Sequence, residues 1–330
     1  MSMRGLRVLS AADVWAATGM RDVIQAVRSA YMEYSAGRAT VPLRIPIETV
    51  NGGTTLFMPG YSPQAEAMAV KVVSVFPSNL GLGLPTISAL VVLSDGTTGV
   101  PLAVMDGASI TALRTGAASG VATDLMARAD AAVAAIIGAG VQGRTQLLAI
   151  AEVRRLTEVR VFDADQARAK AFAAEMGALT GLTVRVTATG NEAVDGADIV
   201  ACATTSRTPV FSGARLAPGA HVNGAGSYTP QMQEVDEQTV LRAAKIAVDS
   251  RLAVLAEAGD LLIPMGKGLI DPTAVYAEIG EIAAGAKPGR ENAEEITFFK
   301  HVGIALLDVV TARLVYERAQ EESLGVEVDL

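Results

Sequence analysis

The chain has 330 residues, with 27 basic against 35 acidic side chains, a net charge of −8, and only 4% aromatic residues. That balance excludes a basic, aromatic-laced nucleic-acid surface, and two histidines with one cysteine are too few for a typical zinc site, so no metal is expected. Half the residues are hydrophobic, yet no uncharged apolar run reaches the ~18 residues of a membrane span. Met1 to Arg7 leads into a mixed stretch rather than an apolar signal core. The lone Cys202, set in an apolar run, allows no internal disulfide and is expected to be a buried, inert thiol in a reducing cytoplasm.

In chain order, Ser10 is positioned to cap a helix whose period carries Val14, Val23, Ile24, Val27, Tyr31 and Tyr34, with a break near Gly19 and a stop at Gly37. Residues 41–50 are extended and interrupted by Pro42 and Pro46. Strands follow at 54–58, 68–76, 87–93 and 99–105, and their short connections predict one antiparallel sheet. Residues 106–128 read as a helix of small residues, including Ala112, Gly116, Ala117, Ala118 and Gly120, suited to close approach of a backbone or a ligand.

From 131 onward the pattern changes. Strands at 131–137, 158–162, 183–187, 199–203, 221–224 and 245–248 alternate with helices near 142–153, 165–179 and 190–196. Such alternation means a parallel sheet with crossover helices. A last helix at 302–319 is expected to return to the first sheet. The fold class is therefore α/β: a Rossmann-type doubly wound parallel sheet over 128–299, plus a discontinuous α+β substrate domain made of 1–127 and 300–330.

The stretch Gly138-Ala139-Gly140-Val141-Gln142-Gly143 has G-x-G-x-x-G spacing between a strand and a helix. Gly138 permits the tight turn, Gly140 lets backbone approach a pyrophosphate, and Gly143 lets the helix pack on the strand. Val141 and Gln142 open the helix, whose N-terminal N–H groups and partial positive charge face the phosphates. The second strand ends at Asp163, where an acid meets the adenosine ribose hydroxyls. Thr204, Thr205 and Ser206 follow a strand at its C-terminal end, so Thr204 is expected to line the cofactor site. A 2′-phosphate would face Asp163 and Asp165 with no cation before Arg168, which favours NADH over NADPH.

Three cations stand in unusual places: Arg44 in Leu43-Arg44-Ile45-Pro46, Lys71 in the nearly all-apolar Ala69-Val70-Lys71-Val72-Val73, and Arg114 in the small-residue helix. A buried lysine costs several kcal/mol unless an anion compensates it. Either the three converge on a substrate carboxylate, or each forms its own ion pair with a nearby acid.

Taken together, these segments resemble the ornithine cyclodeaminase/mu-crystallin family over nearly the whole chain. The likeness rests on Val41-Pro42-Leu43-Arg44, Val70 to Pro77, Gly83-Leu84-Pro85-Thr86, Met105-Asp106-Gly107, Thr111 to Thr115 and the glycine motif. Gly226 with Pro230 and Glu234, and Phe299-Lys300 with Gly303 and Asp308, complete it. The resemblance implies a homodimer through the first sheet and a nicotinamide cofactor in a cleft between domains. It also implies a substrate α-carboxylate held by Arg44, Lys71 and Arg114.

The chain also departs from the family. Where cyclodeaminases carry a catalytic aspartate, alignment on Pro230 and Glu234 places Tyr228, and nothing acidic lies between Ala225 and Gln233. His301 stands where the family usually has serine, either beside the cofactor or at a helix start on the surface. His221, in an apolar strand, is expected to be a core histidine. The expected function is NAD(H)-dependent reduction of a 2-imino acid, or of a 2-oxo acid with ammonia, to an L-amino acid. Lys71 is the candidate proton donor, with Tyr228 a lesser one. Iminosuccinate, pyruvate with ammonia and a cyclic ketimine are the candidate substrates. Ornithine cyclodeamination and cofactor binding without turnover are the alternatives.

Overall fold

The computed structural model describes residues 5–329. It begins with β1 (Leu6–Leu9), α1 (Ala11–Ala17) and α2 (Met20–Ser35). Ser10 caps α1 in a capping box: its Oγ accepts from Asp13 N, and Asp13 Oδ2 accepts from Ser10 N at 2.8 Å. The break expected near Gly19 is present, because Gly19 is extended and serves as the N-cap of α2. Strands β2 (Ile45–Glu48), β3 (Thr54–Ser62), β4 (Ala67–Val75), β5 (Ile87–Asp95) and β6 (Pro101–Asp106) lead into α3 (Gly107–Met126).

The alternating segment then runs β7 (Val133–Ile137), α4 (Val141–Val153), β8 (Glu158–Phe162), α5 (Gln166–Thr180), β9 (Val184–Val186), α6 (Gly190–Val194), β10 (Ile199–Cys202) and β11 (His221–Gly224). It continues through α7 (Glu237–Arg242), β12 (Lys245–Val248), α8 (Arg251–Glu257), α9 (Gly259–Gly266), β13 (Val275–Glu278), α10 (Ile279–Ala283) and β14 (Thr297–Lys300). The chain closes with α11 (Ala305–Glu321) and β15 (Val326–Val328).

Two compact units result. The first runs to Arg114 and resumes at Ile304; the second is Thr115–Gly303. The boundary thus falls inside α3 rather than at 127/128, and the return falls at 303/304 rather than 299/300. The physical reason lies in Gly116. A Cβ there would sit 2.4 Å from the Thr145 carbonyl oxygen, so the later half of α3 packs directly on α4.

In the first unit the sheet order is β15-β1-β6-β5-β4-β3-β2. β2 through β6 pair antiparallel, as their short turns require. β1 and β15, which local pattern does not single out, extend the far edge. On β4 the inward-facing Ala67, Ala69 and Lys71 are buried while Met68 is exposed, the period-2 signature of a sheet covered on one side. α11 is that cover, packing on β3, β4 and α2. The face of α2 with Val23, Ile24, Val27 and Tyr31 is fully buried.

The second unit is an all-parallel eight-stranded sheet in the order β13-β12-β14-β11-β10-β7-β8-β9. β13 and β14 add to the six expected strands, and β14 inserts between β11 and β12. Ile136, Leu147, Val159, Phe172 and Ile199 form one face of the core.

Candidate functional site

Two of the three cations, Lys71 and Arg114, meet at an acid, Asp308, in the first turn of α11. Lys71 Nζ donates to both its carboxylate oxygens, at 2.9 and 2.8 Å. Arg114 Nε donates to Oδ1 at 3.1 Å. Lys71, Arg114 and Asp308 are all buried. The ion-pair alternative therefore holds for two of the three cations, but they share one carboxylate. Among the described residues no acceptor takes Arg114 Nη1 or Nη2, so the two parallel donors that suit a carboxylate are uncommitted. Burial drives the Lys71 ammonium down to about 7; Asp308 opposes this, while Arg114 and the nearby Arg44 push in the same direction as burial. For Asp308 burial works upward, but the charges of Lys71 and Arg114 outweigh it and hold the carboxyl below its ordinary value. The position of Asp308 between Leu307 and Val309 is the available sequence signal: an acid on an otherwise apolar helix face.

The second unit forms a cavity of about 450 Å³ at the C-terminal ends of β7, β8 and β10, lined in part by Gly138, Gly140, Asp163, Arg168 and Thr204. Gly138 has φ +102, which a side chain would strain, and a Cβ on it would meet the Ala203 carbonyl at 2.6 Å. A Cβ on Gly143 would lie 2.0 Å from the Gly138 carbonyl, whereas one on Gly140 meets nothing within 4 Å. Gly143 thus serves helix packing, and Gly140 leaves an open approach to the N-terminus of α4. Val141, at that N-terminus, is exposed, and Gln142 Oε1 is buried without a protein partner. Asp163 Oδ2 accepts from Ala139 N at 2.8 Å, which ties the end of β8 to the glycine turn. Arg168 lies 3.7 Å from Asp163 and 3.6 Å from Asp165. These features fit a dinucleotide: an open glycine turn at a helix N-terminus, with an acid at the ribose position.

A buried carboxylate supports this cavity. Glu234 accepts the backbone N–H groups of Thr204, Gly226 and Ser227 at 2.5, 2.6 and 2.8 Å. Its own backbone N–H donates to Asp260 Oδ1 at 2.6 Å, and Asp260 Oδ2 lies 2.8 Å from Lys300 Nζ. All three side chains are fully buried. Burial and the Asp260 charge raise the Glu234 carboxyl against the pull of Lys300. Tyr228 belongs to the second unit, in the loop that Glu234 pins, whereas the three cations belong to the first. His301 is not at the surface: it is buried, with Nε2 3.2 Å from Ser119 Oγ and its ring stacked on Phe299. His221 is a satisfied core residue between Thr297 and Asn223, and burial lowers it to about 3. Burial also raises the Cys202 thiol well above its ordinary value.

The sequence pattern of the ornithine cyclodeaminase/mu-crystallin family matches residues 6–323. A Bacillus cereus Delta(1)-pyrroline-2-carboxylate reductase is 41% identical over 323 residues, 98% of this chain and 99% of that protein. The structure of Thermococcus litoralis Delta(1)-pyrroline-2-carboxylate reductase in complex with NADH and L-proline superposes with a TM-score of 0.94 at 46% identity, covering 98% of this chain and 100% of that one. An archaeal alanine dehydrogenase dimer with bound NAD gives a TM-score of 0.91 at 35% identity, covering 98% of each chain.

Proposed function

This chain belongs to the ornithine cyclodeaminase/mu-crystallin family, and we propose that it reduces a cyclic 2-imino acid, Delta(1)-pyrroline-2-carboxylate, to L-proline with NADH. It is an NAD-dependent oxidoreductase acting on imines and amino acids. The observation that carries the reading is Arg114. With Nε held by Asp308, its two Nη groups offer a bidentate seat for one carboxylate. Arg44 adds a second positive charge near Lys71. Two similar proteins named as reductases of this imine, one of them with NADH and L-proline, support the choice of substrate.

The residues divide the work. Arg114 and Arg44 fix the α-carboxylate and so the orientation of the C=N bond. Lys71, lowered to about 7, can hold or release a proton at Nζ near neutrality, and a protonated imine nitrogen makes the adjacent carbon electrophilic. Gly138, Gly140, Val141, Gln142, Asp163 and Thr204 would hold the dinucleotide. When bound, its dihydronicotinamide supplies the hydride. Asp163 and Asp165 disfavour a 2′-phosphate, and Arg168, the cation of that cavity, already stands beside both acids. Cyclodeamination lacks its carboxylate: the acid nearest Tyr228 in sequence on its C-terminal side, Glu234, is occupied by three backbone N–H groups.

We read the protein as a cytoplasmic homodimer joined through the first sheet. That sheet exposes Ile45, Ile47, Ile87 and Leu90, each more than half accessible. That an archaeal relative, an alanine dehydrogenase, is a dimer supports the homodimeric state.

Product analysis tests the reading. Incubation with NADH and Delta(1)-pyrroline-2-carboxylate is expected to give one L-proline per NADH consumed, resolved by chiral chromatography. Preferential turnover of iminosuccinate, or of pyruvate with ammonium, would reassign the side chain. No turnover of any imino acid would overturn the reading.

A further inference from the structure

Lys71, Arg114 and Asp308 come from three separate elements, β4, α3 and α11, and meet in a buried place. Asp308 is the acid that contacts both cations, and it uses both oxygens to do so. We propose that Asp308 is the positioning residue of the carboxylate site: by accepting from Lys71 and Arg114 Nε together, it fixes where the remaining lysine N–H and the arginine fork point. The proposal deepens the imine-reductase reading and rests on it for the identity of the substrate, though not for the geometry.

A lysine side chain is a flexible point charge, and an arginine rotates about several bonds, so neither presents a defined seat unless something holds it. One carboxylate that accepts from both sets their mutual distance. Asp308 also lies in the first turn of α11, where the helix N-terminus favours an ionised acid. In addition, Asp308 supplies the negative charge that keeps Lys71 protonatable. The groups facing Lys71 are Asp308 from α11, Arg114 from α3 and Arg44 from the segment before β2. Its register neighbours Met58 on β3 and Val91 on β5 bring no charge. Without Asp308 the lysine is left with burial and two cations, all of which favour the neutral amine.

The test compares wild type with Asp308→Asn and Asp308→Glu by two readouts. The first is kcat/KM for the imine across pH. The second is the titration of Lys71, read by carbon NMR on protein labelled at lysine Cε and assigned with Lys71→Arg. In wild type Lys71 is expected to titrate near 7. In Asp308→Asn its titration is expected to fall by ~1–3 pH units. The alkaline limb of kcat/KM should move with it, and the plateau should fall about 100-fold. Asp308→Glu is expected to keep the lysine titration but lose rate. NADH binding, followed by fluorescence, reports folding of the variants. If Asp308→Asn does not fold, Asp308→Glu decides alone: kcat/KM lowered at least ~10-fold at unchanged NADH affinity supports the proposal, and an unchanged rate overturns it. An unmoved Lys71 titration in folded Asp308→Asn also overturns it. If wild type reduces no imine yet the lysine titration shifts, the functional reading fails and the role of Asp308 stands. If Asp308→Asn turns over imine as wild type does with Lys71 unmoved, the reverse holds.

Discussion

The Glu234 carboxylate accepts the backbone N–H of Thr204 at 2.5 Å, joining the loop after β10 to the loop after β11 through one buried acid. Thr204 lines the cavity proposed to hold the dinucleotide, so the shape of that cavity depends on Glu234. In Glu234→Gln an amide NH2 replaces one acceptor and faces backbone donors. Hydrogen bonds to a charged acceptor contribute about 1.5–3 kcal/mol each. Losing one should weaken NADH binding by roughly 10-fold or more. Fluorescence titration with NADH measures this.

The glycine turn separates two roles by substitution. Gly143→Ala would place a Cβ 2.0 Å from the Gly138 carbonyl oxygen, so the backbone must shift. We expect a lower melting temperature together with lost cofactor binding. Gly140→Ala meets no protein atom within 4 Å. It should melt as wild type does and still bind NADH at least ~10-fold more weakly, because the new methyl occupies the approach to the helix N-terminus. Thermal denaturation and NADH titration, run side by side, distinguish the two.

Cofactor choice is expected to follow Asp163. Wild type should have a higher kcat/KM with NADH than with NADPH. Asp163→Ser removes the charge that opposes a 2′-phosphate and releases Arg168 from one of its two acids, so the ratio should move toward NADPH. Steady-state rates with each cofactor at saturating imine measure the ratio.

Arg114→Lys keeps the charge but loses the fork. If the arginine seats a carboxylate by two parallel N–H bonds, the lysine variant should raise KM for the imine ~10-fold or more while NADH affinity stays unchanged. Equal KM values for wild type and the Arg114→Lys variant would mean that charge alone suffices there.

Much of this arrangement is legible in the sequence because its signals are local. The glycine spacing, Ser10, the break at Gly19 and a lysine inside an apolar strand each declare themselves within a few residues. The partners of those residues do not. Asp308 lies 237 positions from Lys71, and no local pattern ties a helix acid to a strand lysine at that distance. The same holds for the Asp260–Lys300 pair beneath Glu234. β13 and β14 fall outside the expected strands although, at four residues each, they match β11 and β12 in length. The domain boundary within α3 is invisible because the helix is apolar and small on both sides of Arg114; what divides it are long-range contacts of its later half, Gly116 with Thr145 and Thr123 with Asn223 among them.

The most direct test of the account is the loss of NADH absorbance on addition of Delta(1)-pyrroline-2-carboxylate, with wild type and Arg114→Ala compared at saturating NADH. Rapid turnover by wild type is expected, with a KM for the imine raised about 100-fold in the variant and little change in NADH affinity. Wild-type protein that binds NADH but oxidises none of it with this or any other imino acid would contradict the account.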